Sequence, residues 1–446
     1  MDAATSARET RTMLVNVGPS HPAMHGVIRL VTELEGETVV KVEAEIGYLH
    51  RAFEKSCENS TWTQSIPYTD RLNYVSPLIN NFGYCAAVEK LLGIEITERC
   101  KYIRVLMSEI SRITDHLTCI GASAMEVGAM TAFLYFIKAR EYLYEIVEEV
   151  TGARLTISYG RIGGVKADLP QGLEEKLETD LKKVEKELYQ VDKLLTRNRI
   201  FVDRMKDVGV LTAEDAISYS ITGPMGRASG INYDVRRDFP YFVYDRMEFD
   251  VPLGEKGDNY DRYLVRMEEM RQSVRIIRQA MKQMPGGAVN VDSQGKVVQS
   301  FELVDQAKMG RTEGLVDVVT TVDPTLEGTQ RTFLKRVMPA ERRVILPPKE
   351  DTYGNIEGLM NHFKIIMDNH GIRPPKGDTY FAVEGANGEL GFYVVSDGKD
   401  HPYRVRVRPP CFFGMAGLHR MLEGYMVADI VPTFGSINMI AGELDR

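Results

Sequence analysis

The chain has 446 residues, 43% hydrophobic and 26% charged, with 55 basic and 63 acidic side chains for a formal charge of -8. That is enough for a large core and about two to four domain-sized units, and the balance excludes disorder, collagen-like repeats and a disulfide scaffold. An acidic chain carries no electrostatic footprint for nucleic acid, and no window approaches the roughly 20 uninterrupted apolar residues of a membrane helix.

The N-terminus, MDAATSARETR, lacks the apolar core of a signal peptide, so a cytoplasmic chain, soluble or peripheral, is expected. Residues Met13 to Glu45 alternate apolar and polar side chains and break at Glu35-Gly36-Glu37, as strands joined by a turn do. From Tyr84 the period becomes helical: Ile103, Leu106, Met107, Ile110, Ile113 and Leu117 mark one face of an amphipathic helix. The most apolar stretch, Ala129 to Ile137, is too short to cross a membrane and runs into Lys138, Arg140 and Glu141. It falls in a helix expected from about Thr131 to Gly152, a glycine suited to ending it.

After Pro170, Leu177, Leu181, Val184, Leu188, Val191 and Leu195 recur at steps of 4 and 3 residues between Glu and Lys. This predicts a core-packing helix with one buried seam, since an oligomerisation coil needs more heptads. Another helix is expected from Tyr260 to Gln283. Residues Gly286 to Gly358 depart from this pattern, with Gly and Asp turns, short Val-rich runs and a basic stretch, QRTFLKRVMPAERR. They read as an insertion or small strand-like lobe, its charges a solvated face or a docking patch. Asn361 to Asn369 is again helical, and Thr379 to Arg408 returns to strands with turns at Ala386-Asn387-Gly388 and Ser396-Asp397-Gly398. The expected class is α+β, a mainly helical central bundle flanked by small antiparallel sheets. The expected divisions are 1–80, rich in strands; 81–285, the helical core; 286–358, the insertion; and 359–446, a C-terminal α+β segment.

The five cysteines, Cys57, Cys85, Cys100, Cys119 and Cys411, are scattered, with no Cys-x-x-Cys. They do not suit a zinc, iron–sulfur or nickel–iron site within the chain, and are expected to be buried small apolar residues.

Three constellations could carry chemistry. In GPSHPAMHG, Gly18 to Gly26, His21 and His25 sit in a loop shaped by Pro and Gly, with no third ligand at matching spacing. They are proton donors, since histidine titrates near neutrality, or they tie the turn together. In Tyr68 to Tyr74, Arg71 offers a permanent cation and Tyr74 a neutral phenol, though any one of 21 tyrosines can equally be packing. The turns GRIGGVKADLP, SGINYDVRR and FDVPLGEKGDNYDRY hold neither a Walker pattern nor G-x-G-x-x-G, so their paired charges are expected to brace one another or a neighbouring subunit.

These motifs, with IGYLHRAFEK, DRLNYVSPLINNFGYCAAVEKLLG, GELGFYVVSDG and PYRVRVRPP, resemble the 49-kDa-type quinone-site subunits of respiratory complex I, the NADH:quinone oxidoreductase. The resemblance runs from about Val15 to Arg446 outside the 286–358 region. It implies a fold like the large subunit of nickel–iron hydrogenases, whose two Cys-x-x-Cys pairs are replaced here by Tyr68 to Tyr74 and by Gly442 to Arg446. A hydrogenase-type metalloenzyme is thus the competing reading, disfavoured for want of cysteine ligands, and a purely structural scaffold is a third.

The resemblance further implies a peripheral-arm component with a quinone-site loop in its first 80 residues and no cofactor of its own. Quinone would be the substrate, and the terminal iron–sulfur cluster would lie in a neighbouring polypeptide. NADH would bind elsewhere, and proton translocation would be coupled elsewhere in the assembly. The implied partners are the iron–sulfur B subunit, the C and I subunits and the membrane-embedded H subunit, on the cytoplasmic face of a bacterial inner membrane. Tyr74 matches the tyrosine that hydrogen-bonds the quinone, and His25 its partner histidine, with His21 expected as a further cofactor-binding residue. Arg71 matches an arginine beside the cluster that is not a ligand. Two positions depart from the pattern: Glu126 stands where the histidine's acidic partner is usually Asp, and Thr156 where a histidine is common near the cluster. The second departure bears on the usual proton coupling of the cluster and leaves the quinone open between ubiquinone and a lower-potential one such as menaquinone.

Overall fold

The computed structural model describes residues 11–291, 297–298, 302–305, 317–318, 332–337, 349–354, 356–367 and 371–446. Its class is the expected α+β. Five helices make the centre: Pro77–Leu92, Glu98–Glu126, Met130–Thr151, Leu173–Val191 and Asn259–Gln283. The first begins well before Tyr84, because Pro77 occupies the first helical position, where a missing N–H costs nothing. Thr97 opens the second, its hydroxyl accepting the Cys100 N–H at 3.2 Å. Gly152, in the left-handed region, closes the third as anticipated.

The 29-residue Glu98–Glu126 helix packs against the Pro77–Leu92, Met130–Thr151, Ile430–Ile437 and Asn259–Gln283 helices. Its apolar stripe is the expected one, but its polar face is not solvated. Arg104, Glu109, Arg112, Asp115 and His116 are all fully buried. Arg104 forks onto both oxygens of Glu89 at 2.6 and 2.8 Å. The seam of the Leu173–Val191 helix is buried against Met130–Thr151 in the core, while Leu195 falls in a π-helical turn, Asp192–Thr196.

The N-terminal sheet is antiparallel, Thr12–Val17 beside Arg29–Glu35 beside Thr38–Glu45. Its buried Leu30, Leu34, Val39 and Val42 join Met24, Leu418, Met421, Phe434, Ile437 and Leu444 in a second apolar cluster. Backbone bonds Val39 N–H to Tyr425 O and Gly424 N–H to Val39 O, each 2.8 Å, tie the two ends of the chain together. The C-terminal sheet, Gly377–Gly385, Gly388–Ser396 and Arg404–Arg408, covers the Pro77–Leu92 helix at Gly83, where a Cβ would lie 3.0 Å from Phe392 and Val383. Most of the 286–358 segment lies outside the described residues, as do the two ends of its basic stretch, 330–331 and 338–343. Described there are short strands, including the pair Glu302–Asp305 and Thr332–Val337, and the helix Lys349–Gly354.

Candidate functional site

The GPSHPAMHG loop is a single 3-10 turn, Pro22–Met24. His21 is its cap, its Nδ1 accepting the Ala23 N–H at 3.2 Å, so this histidine ties the turn. His25 ends the turn with φ of 54°, a left-handed conformation that costs a non-glycine residue of order 1 kcal/mol. Buried Met24 and the edge-on ring of Phe434, 6.0 Å from the imidazole, fix it there, with the side chain still 40% exposed.

Across from it, Glu126 is the last residue of the Glu98–Glu126 helix, where a carboxylate faces the negative end of the helix dipole. Helix stability therefore does not account for it. His25 Nε2 stands 3.6 Å from Glu126 Oε1, the reach of an ion pair rather than of a hydrogen bond. Glu126 Oε2 is buried and, among the described residues, without a hydrogen-bond partner.

Tyr74 is presented by a turn that Asn73 builds. Its Oδ1 accepts the N–H groups of Val75 and Ser76 at 3.2 and 3.3 Å, and its Nδ2 donates to Asp115 Oδ2 at 2.8 Å. Tyr74 borders the same apolar cluster as Met24 and Phe434 and is half-buried. Burial holds its phenol protonated above the ordinary range, with Cys411 and Asp115 acting in the same sense and Arg51 opposing. Its hydroxyl has no hydrogen-bond partner among the described residues.

Behind Tyr74 runs a buried polar chain. Asp115 accepts from Ser76 Oγ at 2.7 Å and from Asn438 Nδ2 at 2.7 Å, Asn438 meets Asn387 at 2.5 Å, and Asn387 donates to Cys411 Sγ at 3.2 Å. Cys411 N–H donates to Glu443 Oε1 at 3.0 Å. Burial raises the Glu443 carboxyl to about 7, against the bond from Cys411.

Arg71 lies on the exposed side of this turn, donating to Pro67 O at 2.7 Å and standing 3.8 Å from Asp70. Burial raises Asp70 to about 6, with hydrogen bonds from Ser158 and Asn81 resisting. Thr156 is exposed in the loop leading to Ser158, whose Oγ reaches Asp70 at 2.9 Å. Arg51 donates to Arg71 O at 2.5 Å, its own guanidinium made less basic by burial and by Arg71. The two segments that stand where cysteine pairs would be needed do meet: a Cβ on Gly442 would lie 2.3 Å from Arg71 O and 2.6 Å from Leu72 O. Asp445 locks them to the IGYLHR loop, accepting Gly47 and Leu49 N–H, both at 2.9 Å.

The remaining motifs are braces. In GRIGGVKADLP the Gly163 and Val165 N–H groups are taken by Glu89 and Asn290 at 2.8 and 3.0 Å, which leaves no phosphate cradle there. Arg236 of SGINYDVRR is buried against Asp234 at 2.7 Å and Glu109 at 3.2 Å. The five cysteines are buried and unbridged, and burial pushes Cys57 and Cys85 up to about 12 and Cys100 and Cys119 to about 11. Among the described residues, no three His, Cys, Asp or Glu side chains are placed to hold a metal, and no helix is long and apolar enough to cross a membrane.

The structure thus pairs His25 with Glu126, sets Tyr74 on the same apolar rim and Arg71 on its exposed side, and assigns His21 to the turn. Sequence reasoning passed over Arg51, Asp115, Glu443 and Gly435. Arg51 and Glu443 lie within motifs already singled out; Asp115 and Gly435 bear no local signal, since their neighbours are distant in the chain.

The family model described as respiratory-chain NADH dehydrogenase, 49 Kd subunit, matches residues 126–446. The chain is 50% identical over 438 residues to the D subunit of NADH-quinone oxidoreductase from Myxococcus xanthus, covering 98% of this chain and 94% of that one. The D 1 subunit of the Sorangium cellulosum enzyme is 48% identical, with 100% and 98% covered, and the C/D subunit of the Bdellovibrio bacteriovorus enzyme is 46% identical, with 97% and 68% covered. The family model begins at Glu126, and the likeness to the full-length relatives carries the His25 and Tyr74 segments.

Proposed function

The chain belongs to the 49-kDa subunit family of respiratory-chain NADH dehydrogenases, and from that premise we propose that it forms the site where this oxidoreductase complex reduces a quinone. The observation that carries the reading is the pairing of an exposed His25 with a partly orphaned Glu126 on the apolar rim that Tyr74 also borders.

Reducing a quinone to quinol takes two electrons and two protons, so its oxygens need donors that an apolar wall leaves exposed. Tyr74 offers a neutral phenol, kept protonated by burial. His25 offers a ring N–H, oriented and charge-balanced by Glu126. The apolar side chains beneath, Met24, Val75 and Phe434, suit the ring and tail of a lipid quinone. Electrons would arrive from a terminal iron–sulfur cluster in the neighbouring B subunit. Arg71 would lie near that cluster and favour its reduced form as an uncoordinated cation.

The B, C and I subunits and the membrane-embedded H subunit are the proposed neighbours. The Bdellovibrio relative, whose name joins C with D and which is longer than this chain, supports the second of these. The proposed place is the cytoplasmic face of a bacterial inner membrane, with no metal or cofactor bound by this chain itself. Photo-crosslinking the assembled complex with an azido-quinone tests the reading. Labelled peptides should contain His25 or Tyr74; label confined to other polypeptides of the complex, or to parts of this chain remote from both, would contradict it.

A further inference from the structure

Beneath the His25–Glu126 pair lies a gap made by one glycine. Gly435 sits inside the Ile430–Ile437 helix. A Cβ built on it would stand 2.4 Å from Glu126 Oε2, 3.4 Å from Ser123 Oγ and 3.5 Å from Ser123 Cα, with nothing else nearer. Only the first of these is an overlap; the other two are van der Waals contacts. Glu126 Oε2 and Ser123 Oγ are both buried and, among the described residues, have no hydrogen-bond partner.

Nothing else at this position calls for glycine. Gly435 is not among the glycines with positive φ, the nearest neighbour of the missing Cβ is the end of a side chain rather than backbone, and a helix interior favours alanine. We propose that Gly435 is a positioning residue: by lacking a side chain it admits the second oxygen of Glu126 and so aims the first at His25. The inference rests on the reading of His25 and Glu126 as part of the quinone site. A methyl group at 435 would conflict with the far end of a flexible side chain, which yields by rotating. The fold should therefore survive while the carboxylate leaves its 3.6 Å approach to the imidazole. A carboxylate one methylene shorter would draw back from that methyl.

The test uses the assembled, purified complex with NADH and a short-chain quinone, across acid to alkaline pH. The variants are Gly435→Ala, Glu126→Gln, the two combined, and Gly435→Ala with Glu126→Asp. Gly435→Ala should assemble with an unchanged thermal midpoint and lose about as large a factor in rate as Glu126→Gln. The combination with Glu126→Gln should be no worse than either alone, because both remove one interaction. Combination with Glu126→Asp should restore part of the rate. Full activity of Gly435→Ala beside an impaired Glu126→Gln would overturn the inference. So would losses that multiply, no recovery with Glu126→Asp, or failure of Gly435→Ala to assemble. If Glu126→Gln itself reduces quinone normally, the reading of the site falls and takes the inference with it.

Discussion

One helix treats its charges in two ways. In the middle of Glu98–Glu126, Glu109 is saturated: Arg236 and Arg112 stand at 3.2 and 3.3 Å, and Tyr244 and Ser273 donate at 2.7 and 2.6 Å. Around it Arg227 bridges Glu269 and Glu384, each at 2.8 Å, and Glu269 holds His116 at 2.8 Å. At the helix end, Glu126 has one distant, half-exposed partner and one orphan oxygen. Buried charge is costly unless partnered, so the fully partnered Glu109 holds the fold, whereas Glu126 is the carboxylate proposed to serve a ligand. An unpartnered atom alone does not decide this, since His116 Nδ1 in the buried network also lacks a partner among the described residues.

That contrast is broken hardest in the middle of the helix. Glu109→Leu would take a shared carboxylate from two buried guanidinium groups, leaving Arg236 only Asp234 and Arg112 only the Glu384 and Gly385 carbonyls, and should cost about 3–5 kcal/mol. The amount of assembled complex in membranes, with its thermal midpoint, should collapse; normal assembly would mean that this network is dispensable.

Next comes Glu443, raised from 4.5 to about 7 by burial. Between those two values the unfolded chain sheds this proton while the folded one keeps it. Stability therefore falls as pH rises through that window, by up to roughly 3 kcal/mol. Glu443→Gln keeps the shape and the acceptor for Cys411 N–H, so the loss of thermal midpoint between about pH 5 and about pH 8 should shrink. An undiminished pH dependence would place the slope elsewhere, for instance on Glu384, which burial and Asp234 also raise to about 7.

Smaller still, Glu126→Gln should leave stability almost untouched and lower quinone reduction about tenfold, the worth of one ~1.4 kcal/mol interaction. Unchanged quinone reduction in that variant would take Glu126 out of the site. The least effect belongs to His21→Ala, which removes a turn cap worth about 1 kcal/mol and should leave the rate of quinone reduction unchanged; a fall in that rate would return His21 to the site.

The same contrast explains what could be read from the chain. The seam Leu177 to Val191 and the strands on either side of Glu35-Gly36-Glu37 follow local periods, and local periods survive folding. The burial of the polar face of Glu98–Glu126 leaves no local sign in the chain, because several of its partners, Arg236, Glu269, Ser273 and Glu384, lie more than a hundred residues away. His25, Tyr74, Arg71 and Glu126 were legible as chemistry only through the family resemblance, since a lone tyrosine or a pair of loop histidines is ambiguous by itself. Gly435 could not be found at all, because a glycine's meaning lies in what it leaves room for.

The most direct measurement is NADH-driven quinone reduction by the assembled complex carrying Tyr74→Phe, over a range of quinone concentrations. The phenol's hydroxyl has no partner among the described residues, so removing it should leave assembly and thermal stability intact. The rate should fall by about 10²-fold, as when a positioned proton donor is lost. A near-normal rate at every quinone concentration would contradict the placement of the site at Tyr74.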